Sequence, residues 1–124
     1  MYLNRFTGMG NCAADPEIRD VQGKKNASFR IGINERFKNS SGQMQEHTEW
    51  INIVAWGKTA EAVEKHVKKG TVVFVEGKLQ TRQWEDRNGG KRYTTEINAN
   101  IIQFDKTRSA RNSEEQQESD DYEF

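Results

Sequence analysis

Along residues 27–36, ASFRIGINER, apolar and polar positions alternate. Ala27, Phe29, Ile31 and Ile33 fall on one side, and Ser28, Arg30, Asn34 and Arg36 on the other. Successive strand side chains face opposite sides of a sheet, so this is the pattern of a half-buried β-strand. The same alternation runs through 47–57, HTEWINIVAWG. There Ile51, Ile53 and Ala55 make a core face, while Trp50, Asn52, Val54 and Trp56 point the other way. The intervening KNSSGQ carries the Asn, Ser and Gly of a turn. Residues 71–84 and 92–104 read as two long strands. They are joined by DRNGGK, whose Asn88-Gly89-Gly90 is a strong hairpin signal. Asn4–Gly10 reads more weakly as a short strand.

Between the third and fourth of these stretches lies TAEAVEKHVKKG, residues 59–70, with Ala60, Val63 and Val67 on one face at helical spacing. Thr59 is the expected cap, Glu61 suits the first turn, Lys68 and Lys69 the last, and Gly70 the stop. Beyond Phe104 the apolar pattern ends, and the polar remainder is expected to be a disordered tail. No internal repeat is visible. Five strands with one helix predict an all-β Greek-key barrel of the oligonucleotide-binding kind, with 71–104 extending from it as a hairpin. Other five-stranded barrels fit the same pattern. The expected division is one domain over 1–105 and a linker with an acidic end over 106–124.

Composition narrows the setting. At 124 residues the chain suits one domain, and with 33% hydrophobic and 31% charged residues its core is lean. Cys12 is the single cysteine, so no intramolecular disulfide forms. The first thirty residues hold no run of signal-peptide length, and nothing approaches the roughly 20 apolar residues of a membrane span. A cytoplasmic protein with no membrane partner is expected. The net charge of zero hides an asymmetry: Glu114–Phe124 holds six acidic residues and no basic one, which leaves 19 basic against 13 acidic residues in 1–113, a body of +6. Basic bodies with acidic ends occur among nucleic-acid binders, and also among proteins that only need to stay soluble.

The strand face opposite the core carries the candidate chemistry. Single-stranded nucleic acid is held by aromatic rings under the bases and by cations along the phosphates. Trp50 and Trp56 offer two platforms, and Asn52 between them can bond a base or sugar edge. Arg30 and Arg36 share the polar side of the preceding strand. Lys78, Gln80, Arg82 and Trp84 repeat the mixture of cation and indole on another. Phe37 sits between Arg36 and Lys38, Lys58 follows Trp56, and Arg87, Lys91 and Arg92 flank the hairpin turn. The competing reading is that a strand tryptophan is simply core, or is covered by another subunit. Other chemistry is thin. His47 and His66 have no metal-site spacing, Cys12 reads as a small buried residue, Glu46 and Glu49 are not marked as an acid–base pair, and the glycine-rich turn lacks the GK[ST] of a phosphate loop. No cofactor and no catalytic constellation are expected.

At these residues the chain resembles the bacterial-type single-stranded DNA-binding proteins. The resemblance runs from Asn4 to about Phe104. It is carried by Gly10-Asn11 with Asp15-Pro16-Glu17-Ile18-Arg19, by Gly42 with Thr48-Glu49-Trp50, and by Trp56-Gly57-Lys58. Lys69-Gly70, Val75-Glu76-Gly77 and Thr81-Arg82-x-Trp84 with Arg92-Tyr93-Thr94-Thr95-Glu96 complete it. It implies an oligonucleotide-binding barrel, assembled as a homotetramer, that wraps single strands with little sequence preference and has no enzymatic activity. It also implies base stacking at Trp50, Trp56 and Trp84, with Phe37 in a similar role, and a location with the nucleoid in the cytoplasm. Family members end in an acidic tip closing on Pro-Phe that docks on replication, recombination and repair enzymes. Here the end is Asp120-Asp121-Tyr122-Glu123-Phe124, with Glu123 where the proline is expected, and Gly8 stands where an apolar strand residue is usual.

Two other readings fit the pattern: an accessory module that uses the barrel to bind proteins or RNA, and a small hydrolase or nuclease, which would need clustered carboxylates or a metal.

Overall fold

The apolar sides of the alternating stretches converge on one core. The computed structural model describes residues 1–105, in the order β1 (Phe6–Cys12), β2 (Glu17–Val21), β3 (Lys24–Lys38), β4 (Met44–Trp56), α1 (Gly57–His66), β5 (Val72–Glu85) and β6 (Lys91–Asp105). The expected linker and acidic tip, 106–124, therefore lie outside the described residues. Ala27, Phe29 and Ile31 of β3, Ile53 and Ala55 of β4, Val73 and Val75 of β5 and Ile97 and Ala99 of β6 are buried together. Ala60 and Val63 of α1 and Val67 just after it close one end of the barrel.

Hydrogen bonding runs β1-β5-β6-β4-β3, and β3 returns to β1, so five strands close on themselves. This is the expected oligonucleotide-binding barrel. The closing contact is short, Asn11 opposite Gly32 and Cys12 opposite Ile31. It needs a bare backbone: a Cβ on Gly10 would lie 2.3 Å from the Gly32 carbonyl oxygen. Cys12 is 2% exposed, its thiol donates to the Ala14 carbonyl, and burial is the main cause of its raised pKa. At Gly8 the space of an apolar side chain is taken by Phe6, whose Cζ would sit 2.6 Å from a Cβ there.

The structure differs from the sequence-based expectation in two places. A sixth strand, β2, pairs with β3 along Glu17–Val21, joined through Gln22 and Gly23 at φ 52° and 81°. Two positive φ values in a two-residue loop are the geometry whose twist suits a hairpin. Gln-Gly lacks the Asn or Asp that normally signals it, and EIRDV has only Ile18 packed against the core. The helix also begins earlier. Trp56 in extended conformation is its N-cap, without a side-chain cap bond; it also ends earlier, at His66 with Val67 as C-cap, so Lys65 and His66 are the basic residues of the last turn and Lys68, Lys69 and Gly70 lie beyond it. Gly57, at φ 60°, turns the chain straight from strand into helix, which leaves Thr59 inside.

β3–β4 and β5–β6 run beyond the barrel as two long antiparallel hairpins. Each tip is built around one side chain. The Asn39 carboxamide oxygen accepts from the Ser41 and Gln43 amides, and Asp86 Oδ1 accepts from those of Asn88 and Gly90.

Candidate nucleic-acid interface

The polar sides of β3, β4, β5 and β6 meet in an open groove of about 680 Å³. Four of the candidate residues line it: Arg30, Asn52, Trp56 and Arg82. Register explains their convergence, since Arg30 lies opposite Asn52 on the β3–β4 ladder, and β4 joins β6 in parallel at Ile53–Ile97. Trp56 is half-buried, held at the strand–helix junction. Val54, expected on this outer side, does line the groove but is only 8% exposed, because neighbouring elements cover it.

Trp50 adjoins the groove. Its cross-strand partner is Gly32, and a Cβ there would come within 2.8 Å of the indole Cζ3, so the ring lies against bare backbone. The Arg30 guanidinium sits 5.2 Å from the Trp50 ring centroid, a cation–π distance. The indole remains 52% exposed, too open for a core residue. Under it, Phe6, Ile51, Leu79 and Ile97 line a smaller apolar pocket of about 260 Å³.

Trp84 is 43% exposed and is tied to the groove through Thr94, whose hydroxyl accepts from the indole Nε1 at 2.8 Å. None of the three tryptophans belongs to the buried core. Phe37, 49% exposed, lies toward the tip of the β3–β4 hairpin, away from the groove lining.

Apart from Arg30, the candidate cations fall into two groups. Arg82 pairs with Glu96 at 3.2 Å, Arg92 with Asp86 at 2.9 Å and Arg36 with Glu46 at 3.7 Å. Lys58, Lys78, Arg87 and Lys91 are exposed and have no ion-pair partner among the described residues. Of these seven only Arg82 lines the groove. Lys58 is on the first turn of α1, and Arg87, Lys91 and Arg92 surround the β5–β6 tip. At that tip Arg92, with the Gly90 and Asn88 amides, holds the Asp86 carboxyl below its usual range.

Several groove residues were not candidates. Arg19 comes from the unforeseen β2, and Thr94 and Glu96 from β6. In RYTTEINAN the alternation of Thr94, Glu96 and Asn98 against Ile97 and Ala99 was the available signal. Among the described residues no group of three or more His, Cys, Asp or Glu could hold a metal ion, and no helix is long and apolar enough to cross a membrane.

A single-stranded DNA-binding protein 1 from Chlorobaculum tepidum is 46% identical over 97 residues, covering 77% of this chain and 60% of that protein. A single-stranded DNA-binding protein from Rhizobium meliloti is 42% identical over 98 residues, covering 77% and 56%. The chain thus spans somewhat over half the length of these relatives. Among solved structures, a Plasmodium falciparum SSB complex with ssDNA superposes with a TM-score of 0.75 at 28% identity, covering 84% of this chain and 94% of that one. The profile of the single-strand binding protein family matches residues 3–105, and on that match the chain belongs to this family.

Proposed function

We propose that this protein binds single-stranded DNA without sequence preference and protects it in replication, recombination and repair, as a binding protein and not an enzyme. The observation that carries the reading is the juxtaposition of Trp56, Asn52, Arg30 and Arg82 in one open groove, flanked by exposed Trp50 and Trp84. Bases stack on the three indoles and on Phe37, while Lys58, Lys78, Arg87 and Lys91 neutralise phosphates along the rim and the β5–β6 arm. Each stacked base is worth about 1–3 kcal/mol, and every base has a π-face, so the mechanism is tolerant of sequence. Duplex DNA hides those faces and is bound weakly.

Self-association as a homotetramer uses the outer face of the β1–β5–β6 sheet. Met9 and Ile101 there are 41% and 43% exposed, a large apolar exposure for a surface that stays in water. Partner enzymes are recruited by the terminal Asp120-Asp121-Tyr122-Glu123-Phe124, the aromatic filling an apolar pocket while the carboxylates meet basic residues. With Glu123 in place of proline, the accepted partner has a pocket that tolerates an acidic penultimate residue. The cellular site that follows is the cytoplasm, with the nucleoid.

Tryptophan fluorescence titrated with oligo-dT at two salt concentrations, with duplex as control, tests the reading. Deep quenching by the single strand alone, weakened by salt, is expected. Unquenched indoles would instead make the exposed tryptophans an interface for protein or for another subunit. Deleting 114–124 should tighten oligo-dT binding at low salt, because the acidic end no longer competes for the basic groove, and abolish capture of repair enzymes, and Ile101→Glu should lower the mass measured by light scattering.

A further inference from the structure

A surface that only neutralised phosphates would have no use for a buried carboxylate, yet the groove floor contains one. Glu96 is 4% exposed. Arg82 Nε donates to its two oxygens at 3.3 and 3.2 Å, and Gln80 Nε2 donates to Oε2 at 3.4 Å. Gln80 is itself fixed, because its carbonyl oxygen accepts from Asn98 Nδ2 at 3.4 Å. The pair is asymmetric: the Glu96 side chain is 4% exposed and that of Arg82 56%. Both arginine bonds use Nε, and its NH2 groups have no hydrogen-bond partner among the described residues. Burying a charged group is costly unless it is paired, so the ion pair with Arg82 accounts for a carboxylate at this depth and ties the Arg82 Nε edge to the groove.

We propose that Glu96 is a positioning residue of the DNA face, an inference that rests on the single-strand-binding reading above. It clamps the Nε edge of Arg82, so that Arg82 meets the strand as a charge-compensated plane with its NH2 groups offered to the bases. Phosphate neutralisation falls to the exposed, unpaired Lys58, Lys78, Arg87 and Lys91. A rigid planar donor suits stacking and base edges, a task that a lysine cannot perform. The salt dependence of binding counts the phosphates neutralised, at about −0.7 per phosphate on single strands. An arginine already compensated by a buried carboxylate adds little to that slope, whereas a free lysine adds its full share.

The test is oligo-dT affinity of the full chain and its variants, measured by tryptophan quenching across a salt series. R82K retains the charge but has no Nε edge, and is expected to bind roughly tenfold more weakly, the scale of one well-placed contact to a base. E96Q leaves one acceptor oxygen where Arg82 Nε uses two and removes the compensating charge, so binding at high salt should weaken several-fold while the salt slope steepens by up to about 0.7 as Arg82 becomes a free cation. R82A should leave the slope unchanged, while K78A should reduce it by about 0.7. Wild-type affinity in R82K, or a slope reduced by about 0.7 in R82A, would make Arg82 an ordinary phosphate contact and overturn the proposal. Tighter binding by E96Q at high salt would overturn it too, since Glu96 would then merely oppose the strand. If E96Q fails to fold, the exposed substitution R82K decides alone. A wild-type chain that leaves oligo-dT unbound at every salt concentration would overturn the single-strand reading itself, before any variant is compared.

Discussion

The two halves of the β5–β6 hairpin share one ladder and are held by different forces. From Val72 to Gly77, buried and half-buried residues alternate, with Val73 and Val75 in the core. Beyond the register shift between Glu76 and Gly77, every residue from Lys78 to Glu85 except Gln80 is exposed. There the strands are joined across the ladder by side-chain polar groups: Thr81 with Thr95, Arg82 with Glu96, Trp84 with Thr94 and Arg92 with Asp86. Burying one aliphatic side chain stabilises by about 1.5–3 kcal/mol, whereas a hydrogen bond nets about 0.5–1.5. The barrel half sets stability. The arm half adds little to it, keeps its aromatic and cationic groups in solvent, and is the half suited to gripping a strand. Stability and binding are therefore separable by mutation within a single pair of strands.

The substitutions that would break this separation run from the core outward. Ile53→Ala removes a side chain that is 1% exposed from the centre of the barrel. It should cost about 2–5 kcal/mol in urea denaturation, with DNA affinity unchanged while the fold lasts. Gly10→Ala comes next, because its Cβ would meet the Gly32 carbonyl oxygen at 2.3 Å. Opening the β1–β3 closure should cost about 1–3 kcal/mol, and a melting temperature equal to wild type would show that the closure carries no stability. On the other side of the divide, Trp50→Ala and Trp84→Ala should each weaken oligo-dT binding by about 1–3 kcal/mol. Trp84→Ala should leave the denaturation midpoint nearly in place. A large shift in that midpoint would refute the division into halves.

Smaller effects sharpen the comparison. Thr94→Val removes the acceptor of the Trp84 indole, and should reduce oligo-dT affinity by less than Trp84→Ala does, with a stability change within about 1.5 kcal/mol. The smallest effect is one of pH. Asp86 is held below its ordinary value, first by Arg92, so its contribution is present above the unfolded-state value and is lost as pH falls through the lower folded one. The β5–β6 tip should therefore be indifferent to pH across the neutral range and loosen only in acid. Following the Asn88 and Gly90 amide resonances with pH checks this, and a transition near neutrality would contradict it.

Legibility along the chain followed the same physics. The long strands were readable where one face is buried, because burial imposes a period of two on the apolar residues of 27–33 and 51–55. β2 was not readable, since a strand laid against β3 with only Ile18 in contact with the core needs no such period. The helix start is not legible at Thr59 because the chain enters the helix through Gly57, at positive φ, with no capping side chain at Trp56. For the candidate site, alternation separated Trp50, Asn52 and Trp56 from the core face, and the exposures of Trp50 and Trp84 agree with that separation. The pairing of cations was invisible in sequence, because Arg36, Arg82 and Arg92 find acids on a neighbouring strand or across a turn.

The sequence by itself determined the strands with a buried face, the turns between them and which residues point away from the core, because these depend on local spacing and on the chemistry of single side chains. The tertiary structure decided which of those outward residues share a groove, which cations are already compensated, and that a carboxylate lies buried beside Arg82. These depend on strand register and barrel closure, which bring together positions such as Arg30, Asn52 and Glu96 that no local pattern connects.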